Sequence, residues 1–172
     1  MKNRLDEFRS EYLNANSWAQ RKDGVPLDLL DKLDSSELII AEQELIQAAS
    51  LRDSWPILGL GHIRSQKALP VLYELLTKAT DSYKVIIAHS IFQINKDEDM
   101  ISITLKELSQ SGKWSEFILI DIIYLLPDFH NDKINSCLSE FMNSNEYLVA
   151  YNAARVLGYS TESIIRRFRK KD

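Results

Sequence analysis

Apolar residues recur at Leu38, Ala41, Leu45 and Ala48, at Ala68, Leu72, Leu75 and Ala79, at Ile101, Leu105 and Leu108, and at Ile134, Leu138 and Phe141. Steps of three and four put each set on one face of an amphipathic helix. Between these combs lie more uniformly apolar stretches, Trp55 to Ile63, Tyr83 to Ile94, Phe117 to Leu126 and Tyr147 to Leu157, which predict a second set of helices. Turn formers fall between them: Asp53-Ser54, Asp81-Ser82, Asn95-Lys96-Asp97, Ser111-Gly112, Pro127-Asp128 and Asn143-Ser144-Asn145. The pattern is a run of helical hairpins, and no strand-like alternation of comparable length competes with it.

The hairpins repeat. Glu44, Glu74, Glu107 and Glu140 follow one another at spacings of 30, 33 and 33, each one position before a core apolar residue. The more apolar helices close on Ile63, Ile94, Leu126 and Leu157 at spacings of 31, 32 and 31. A lone hairpin cannot bury its apolar face, so two combs of one period predict stacked neighbours sharing a continuous core. Residues 1–34 break the period and read as an N-terminal cap, with helices over Asn3 to Asn14 and Pro26 to Leu33, a turn at Asp23-Gly24, and Trp18 expected to pin the segment. Residues 35–160 hold the repeats, and residues 161–172 predict a basic terminal helix, the whole forming one domain.

Two stretches carry a family resemblance. Trp55-Pro56-Ile57-Leu58-Gly59-Leu60-Gly61-His62-Ile63 with Ala68-Leu69-Pro70-Val71-Leu72, and Ala153-Ala154-Arg155-Val156-Leu157-Gly158, resemble the leucine-glycine close and alanine-leucine-proline opening of short bacterial HEAT-like repeats. The resemblance spans roughly residues 50–160 and implies an all-α, right-handed α-α superhelix of stacked hairpins whose second helices line the concave side. Two central repeats depart from it: Ile122-Ile123-Tyr124-Leu125-Leu126-Pro127 replaces the leucine-glycine close with bulk, and Ala88-His89-Ser90-Ile91-Phe92 keeps only the alanine.

Charge changes the functional picture. The formal net charge is −4, and residues 1–50 hold ten acids against six bases while the rest balances. Backbone binding to nucleic acid needs the opposite sign, so nucleic acid is disfavoured and a basic protein partner fits better. The longest apolar stretch, Phe117 to Leu126, is interrupted by Asp121 and is too short to span a membrane. A single cysteine, Cys137, excludes an intramolecular disulfide, and with no apolar leader after Met1 the expected compartment is the cytoplasm.

Four sets of residues invite chemistry. In a HEAT-like stack Glu44, Glu74, Glu107 and Glu140 would form a ladder on the concave side, with steps on the order of 10 Å; the simpler reading gives each a local mate, such as Glu74 with Lys78. Tyr73, beside Glu74, and Trp114 would be aromatic anchors at an interface, although Trp114 equally suits a staple on its own helix. His89, Asp121 and Asn152, at spacings of 32 and 31, predict a polar rung between repeats, a hydrogen-bond network more than an oriented base. His62, His89 and His130 lie on separate hairpins without metal-ligand spacing, and Gly59 and Gly61 suit close helix packing better than a phosphate cradle. No cofactor or metal is expected.

The function expected from these features is non-enzymatic protein binding, with Glu44, Glu74, Glu107, Glu140 and Tyr73 as the contact residues. By size, charge and architecture the chain is similar to immunity proteins that block a cognate bacterial toxin such as a nuclease. The same resemblance allows two alternatives, an enzyme or chaperone of the bilin lyase type and a nucleic-acid-binding repeat protein like the HEAT-like DNA glycosylases.

Overall fold

The computed structural model describes residues 3–169. Helix accounts for 74% of the described residues and no strand is formed among them, so the protein is all-α. The helices are α1 (Arg4–Phe8), α2 (Trp18–Arg21), α3 (Asp28–Asp31), α4 (Ser35–Ala48), α5 (Trp55–His62), α6 (Leu69–Lys78), α7 (Asp81–Asn95), α8 (Asp99–Leu108), α9 (Glu116–Leu125), α10 (Asp132–Phe141), α11 (Tyr147–Val156) and α12 (Glu162–Arg169). Residues 170–172 of the expected basic terminal helix lie outside the described residues, as do residues 1–2.

Local chemistry explains the boundaries. Asp34 caps α4, its carboxylate accepting from the Ser36 and Glu37 amides while Glu37 reaches back to the Asp34 amide, which satisfies donors the helix itself cannot. Ser115 caps α9 and Asn131 caps α10 in the same sense. Pro56 and Pro70 sit in the first turns of α5 and α6, where a missing amide hydrogen costs nothing. His130, with φ 46°, stops the 3-10 turn Leu126–Phe129 in the left-handed region, and Gly158, with φ 74°, follows α11.

The chain divides into two compact units. One comprises residues 1–79 with 90–97, the other residues 80–89 with 98–172, so α7 contributes its first part to the second unit and its last part to the first.

In the first unit, α1 runs into a π-helical turn, Arg9–Leu13, and packs on α3 and α4, while α4 packs on α5. Phe8, Tyr12, Leu45, Ile57, Leu60 and Leu72 are fully buried there; each contributes roughly 1.5–3 kcal/mol of hydrophobic stabilisation. The cap is held by Tyr12, whose hydroxyl donates to the Trp55 carbonyl at 2.7 Å, and by Arg21. Arg21 bonds both oxygens of Asp53 at 2.6 and 3.0 Å, donates to the Ala15 carbonyl, and stacks 4.1 Å from the Trp55 ring centroid. Trp18, expected as the pin, instead stands 79% exposed, because its short helix turns that face to water.

Gly59 and Gly61 act as contact points between helices. A Cβ on Gly59 would lie 2.5 Å from the Tyr12 hydroxyl, and one on Gly61 would lie 2.9 Å from the Ser90 Cα. Only a hydrogen atom fits at either place.

In the second unit, α9 packs on α11, α11 on α10 and α12, and α10 on α8. Ile122, Ile123, Leu126, Phe129, Ile134, Leu138 and the small pairs Val149-Ala150 and Ala153-Ala154 form its interior. The combs of the sequence therefore mark buried faces, as Leu45, Leu72, Leu108 and Leu138 show.

Candidate functional site

The expected glutamate ladder is largely occupied by its own chain in the first unit. Glu44 accepts from the Arg9 guanidinium at 2.5, 3.0 and 3.1 Å, because α1 and its π turn lie against α4. Glu74 pairs with Lys78 one turn on, and that hydrogen bond holds its carboxyl below the usual range. In the second unit Glu107 is half-buried and Glu140 exposed. Tyr73 is engaged within its own chain too. It is half-buried, and its hydroxyl donates to Asp97 and accepts from Asn95, tying α6 to the turn after α7. Trp114 is likewise half-buried, beside Lys113, which pairs with Asp81.

The expected polar rung is also rearranged. His89 is buried on α7 with its Nε2 2.8 Å from Asp128 and its ring edge-on to Phe129. The 3-10 turn at Pro127 swings Asp128 back onto α7, displacing Asp121 from the role its spacing suggested. Asn152 accepts from the Tyr124 hydroxyl at 2.7 Å and donates to the Leu148 carbonyl. Asp121 has no hydrogen bond or ion pair among the described residues. Asp121 is exposed, and the partial desolvation it does meet on α9 pushes its carboxyl up. No group of three or more histidine, cysteine, aspartate or glutamate side chains is placed to hold a metal among the described residues.

Two surfaces remain as candidates for binding. The first is an open cleft of about 580 Å³ in the N-terminal cap, lined by Glu11, Asp23, Asp28, Val25, Pro26 and Gln20. Trp18 lies in the same turn as the lining residues Ala19 and Gln20 and is almost fully in water. Of the three acids, Asp28 is paired with Lys32 at 2.7 Å, which depresses its carboxyl. Acidic side chains in a cleft whose neighbouring turn exposes an indole, its ring centroid 5.9 Å from the Lys22 ammonium, suit a cation with an apolar stem, a lysine or arginine presented by another protein.

The second surface runs along α9 and α11 in the second unit. Phe117 is 68% and Tyr124 48% exposed, and Ile118 and Leu148 are also in water. Phe117, Asp121 and Tyr124 lie on one stripe of α9, and Leu148, Asn152 and Arg155 occupy the equivalent stripe of α11. A helix apolar all round is ordinarily buried on every side; α9 buries Ile122 and Ile123 and leaves its other face in water. The aspartate in its middle is the feature of the sequence that matches this exposed stripe.

The basic terminal helix is partly consumed by the fold. Arg167 donates to the Met142 and Ser144 carbonyls just beyond α10, and Arg166 pairs with Glu162. Ile164 and Phe168 pack against α11 and Tyr147.

The chain matches no protein-family model, no curated protein and no solved structure. No helix among the described residues is long and apolar enough to cross a membrane.

Proposed function

We propose that the chain is a non-enzymatic helical-repeat protein, its hairpins stacked as a right-handed HEAT-like superhelix, which binds a basic protein partner. The immunity type fits best: a protein that blocks a cognate toxin, with a nuclease domain the natural target. The observation that carries this reading is the cleft of the N-terminal cap, where Glu11, Asp23 and Asp28 surround apolar Val25 and Pro26 and Trp18 stands exposed beside them. The excess of acids over bases in residues 1–50 extends the same sign of charge around it.

The mechanism is occlusion. Lysine or arginine side chains that a nuclease uses to hold phosphates would turn to the cleft carboxylates, while Trp18 supplies the apolar anchor. Opposite charge would speed encounter and select the partner, and the buried aromatic would slow release. The concave glutamates play a smaller part in this picture than their spacing suggests, since Glu44 and Glu74 already hold cations of their own chain.

Co-expression with the products of adjacent reading frames, followed by affinity capture, tests the proposal. A basic partner that is captured by the wild type and lost with Trp18→Ala or Asp23→Lys is the expected result. Capture of no neighbouring product, or undiminished capture by both variants, refutes it.

A further inference from the structure

The face formed by α9 and α11 belongs to the second unit and bears on assembly. Its central stripe alternates large apolar side chains with two charges of opposite sign, Asp121 on α9 and Arg155 on α11. Neither charge has an ion-pair partner within the chain among the described residues. An apolar surface carrying one unpaired anion on its first helix and one unpaired cation on its second is complementary to itself.

We propose that this face binds the same face of a second copy of the chain, Asp121 of each copy meeting Arg155 of the other. A twofold axis lying in the interface between α9 and α11 lays α9 of one copy on α11 of the other, which is the self-complementary arrangement a symmetric dimer requires. Phe117 and Tyr124 of one copy then cover Leu148 of the other. The guanidinium of Arg155, on its long stem, reaches a carboxylate that its own chain leaves without an ion-pair partner among the described residues.

The size of the face agrees. Phe117, Tyr124, Ile118 and Leu148 leave on the order of 400 Å² of apolar surface in water, taking ~150–250 Å² for a fully exposed aromatic and somewhat less for an aliphatic. A dimer interface buries about 800 Å² per subunit and is a little over half apolar. The stripe thus supplies most of the apolar share, and Asp121, Asn152 and Arg155 supply the polar remainder.

Sedimentation velocity of the full chain over a concentration series tests this with no added ligand. The wild type is expected to shift from monomer to dimer. Asp121→Arg, which opposes two cations twice across the axis, should weaken the dimer at least about tenfold, and Phe117→Ser should do the same. The exchanged variant Asp121→Arg/Arg155→Asp should recover most of the loss, which a folding defect would not allow. Helical circular dichroism of each variant verifies that the fold is intact. A wild type that stays monomeric throughout the series overturns the proposal and assigns the face to a different protein. A dimer indifferent to both single substitutions, or one not recovered by the exchange, overturns it equally.

Discussion

Replacing Gly59 with alanine sets two quantities of known size against each other. In an ordinary helix interior the change stabilises by about 1 kcal/mol, since alanine restricts the unfolded chain and glycine does not. Here the new methyl would lie 2.5 Å from the Tyr12 hydroxyl and 3.2 Å from both Tyr12 Cζ and Leu45 Cδ1. Tyr12 is 1% exposed and cannot swing into water without leaving the core. Its retreat would break the hydroxyl's bond to the Trp55 carbonyl, a loss of ~1–3 kcal/mol for a buried polar pair, and repacking the contact adds about 1–3 kcal/mol. The balance is a net destabilisation of about 1–5 kcal/mol after the helix gain is subtracted. At this chain length that lowers the thermal midpoint by about 2–20 °C.

A double-mutant cycle with Tyr12→Phe isolates the cause. Removing the hydroxyl costs stability alone, but it also vacates the space the methyl needs, so Gly59→Ala should be close to neutral in that background. Urea unfolding of the four proteins, followed by circular dichroism, should give a coupling of at least ~1 kcal/mol. A Gly59→Ala protein as stable as the wild type, or a cycle with no coupling, would refute the packing argument.

Arg21→Ala should destabilise by about 1–2 kcal/mol, because the stacked guanidinium and its bonds to Asp53 and the Ala15 carbonyl are lost together; thermal melts read this directly. Burial opposes ionisation of Asp53, but bonds from Arg21 and the Trp55 amide outweigh it and hold the carboxyl below its ordinary value. That stabilisation is present above the unfolded value of about 3.9 and disappears as pH falls through the depressed one. Asp53→Asn should therefore flatten the acid limb of the stability profile, and an unchanged limb would exclude the pair as its source. Asp121 has the opposite sign: its carboxyl is raised by burial, so its favourable contribution is complete below about pH 3.9 and is lost as pH rises through the elevated value. Asp121→Asn should raise the thermal midpoint at neutral pH in dilute samples, and a lowered midpoint would show that the charge is compensated within one chain. Trp18→Ala should leave stability within about 0.5 kcal/mol of the wild type, since the indole touches little of the core, and a larger loss would contradict its exposed position.

Helix positions were legible because periodicity reports burial. The stretches Trp55 to Ile63 and Tyr147 to Leu157 became α5 and α11 with ends one residue away. Glu74 with Lys78 was legible too, as a pair one turn apart. The partner of Glu44 was not: Arg9 lies 35 residues upstream, and only the packing of the cap brings it there. The histidine rung failed for a related reason. Equal spacing places His89, Asp121 and Asn152 at equivalent helical levels, but the left-handed backbone at His130 and the tight turn before it decide that Asp128 reaches the imidazole first. Tyr12 hid as one aromatic among several in an irregular segment, while Trp18 drew attention by its size. Their roles depend on which way a short helix faces, and that is settled by the Arg21 contacts and not by spacing.

The sharing of α7 between the two units has a practical consequence for anyone who would dissect the molecule. A fragment ending at residue 79 would lack Ser90, the surface against which Gly61 is shaped. One beginning at residue 98 would retain Asp128 but lose the imidazole it holds. Truncation at either edge of this helix should yield material that unfolds or precipitates, and protease nicks within it should release no stable piece.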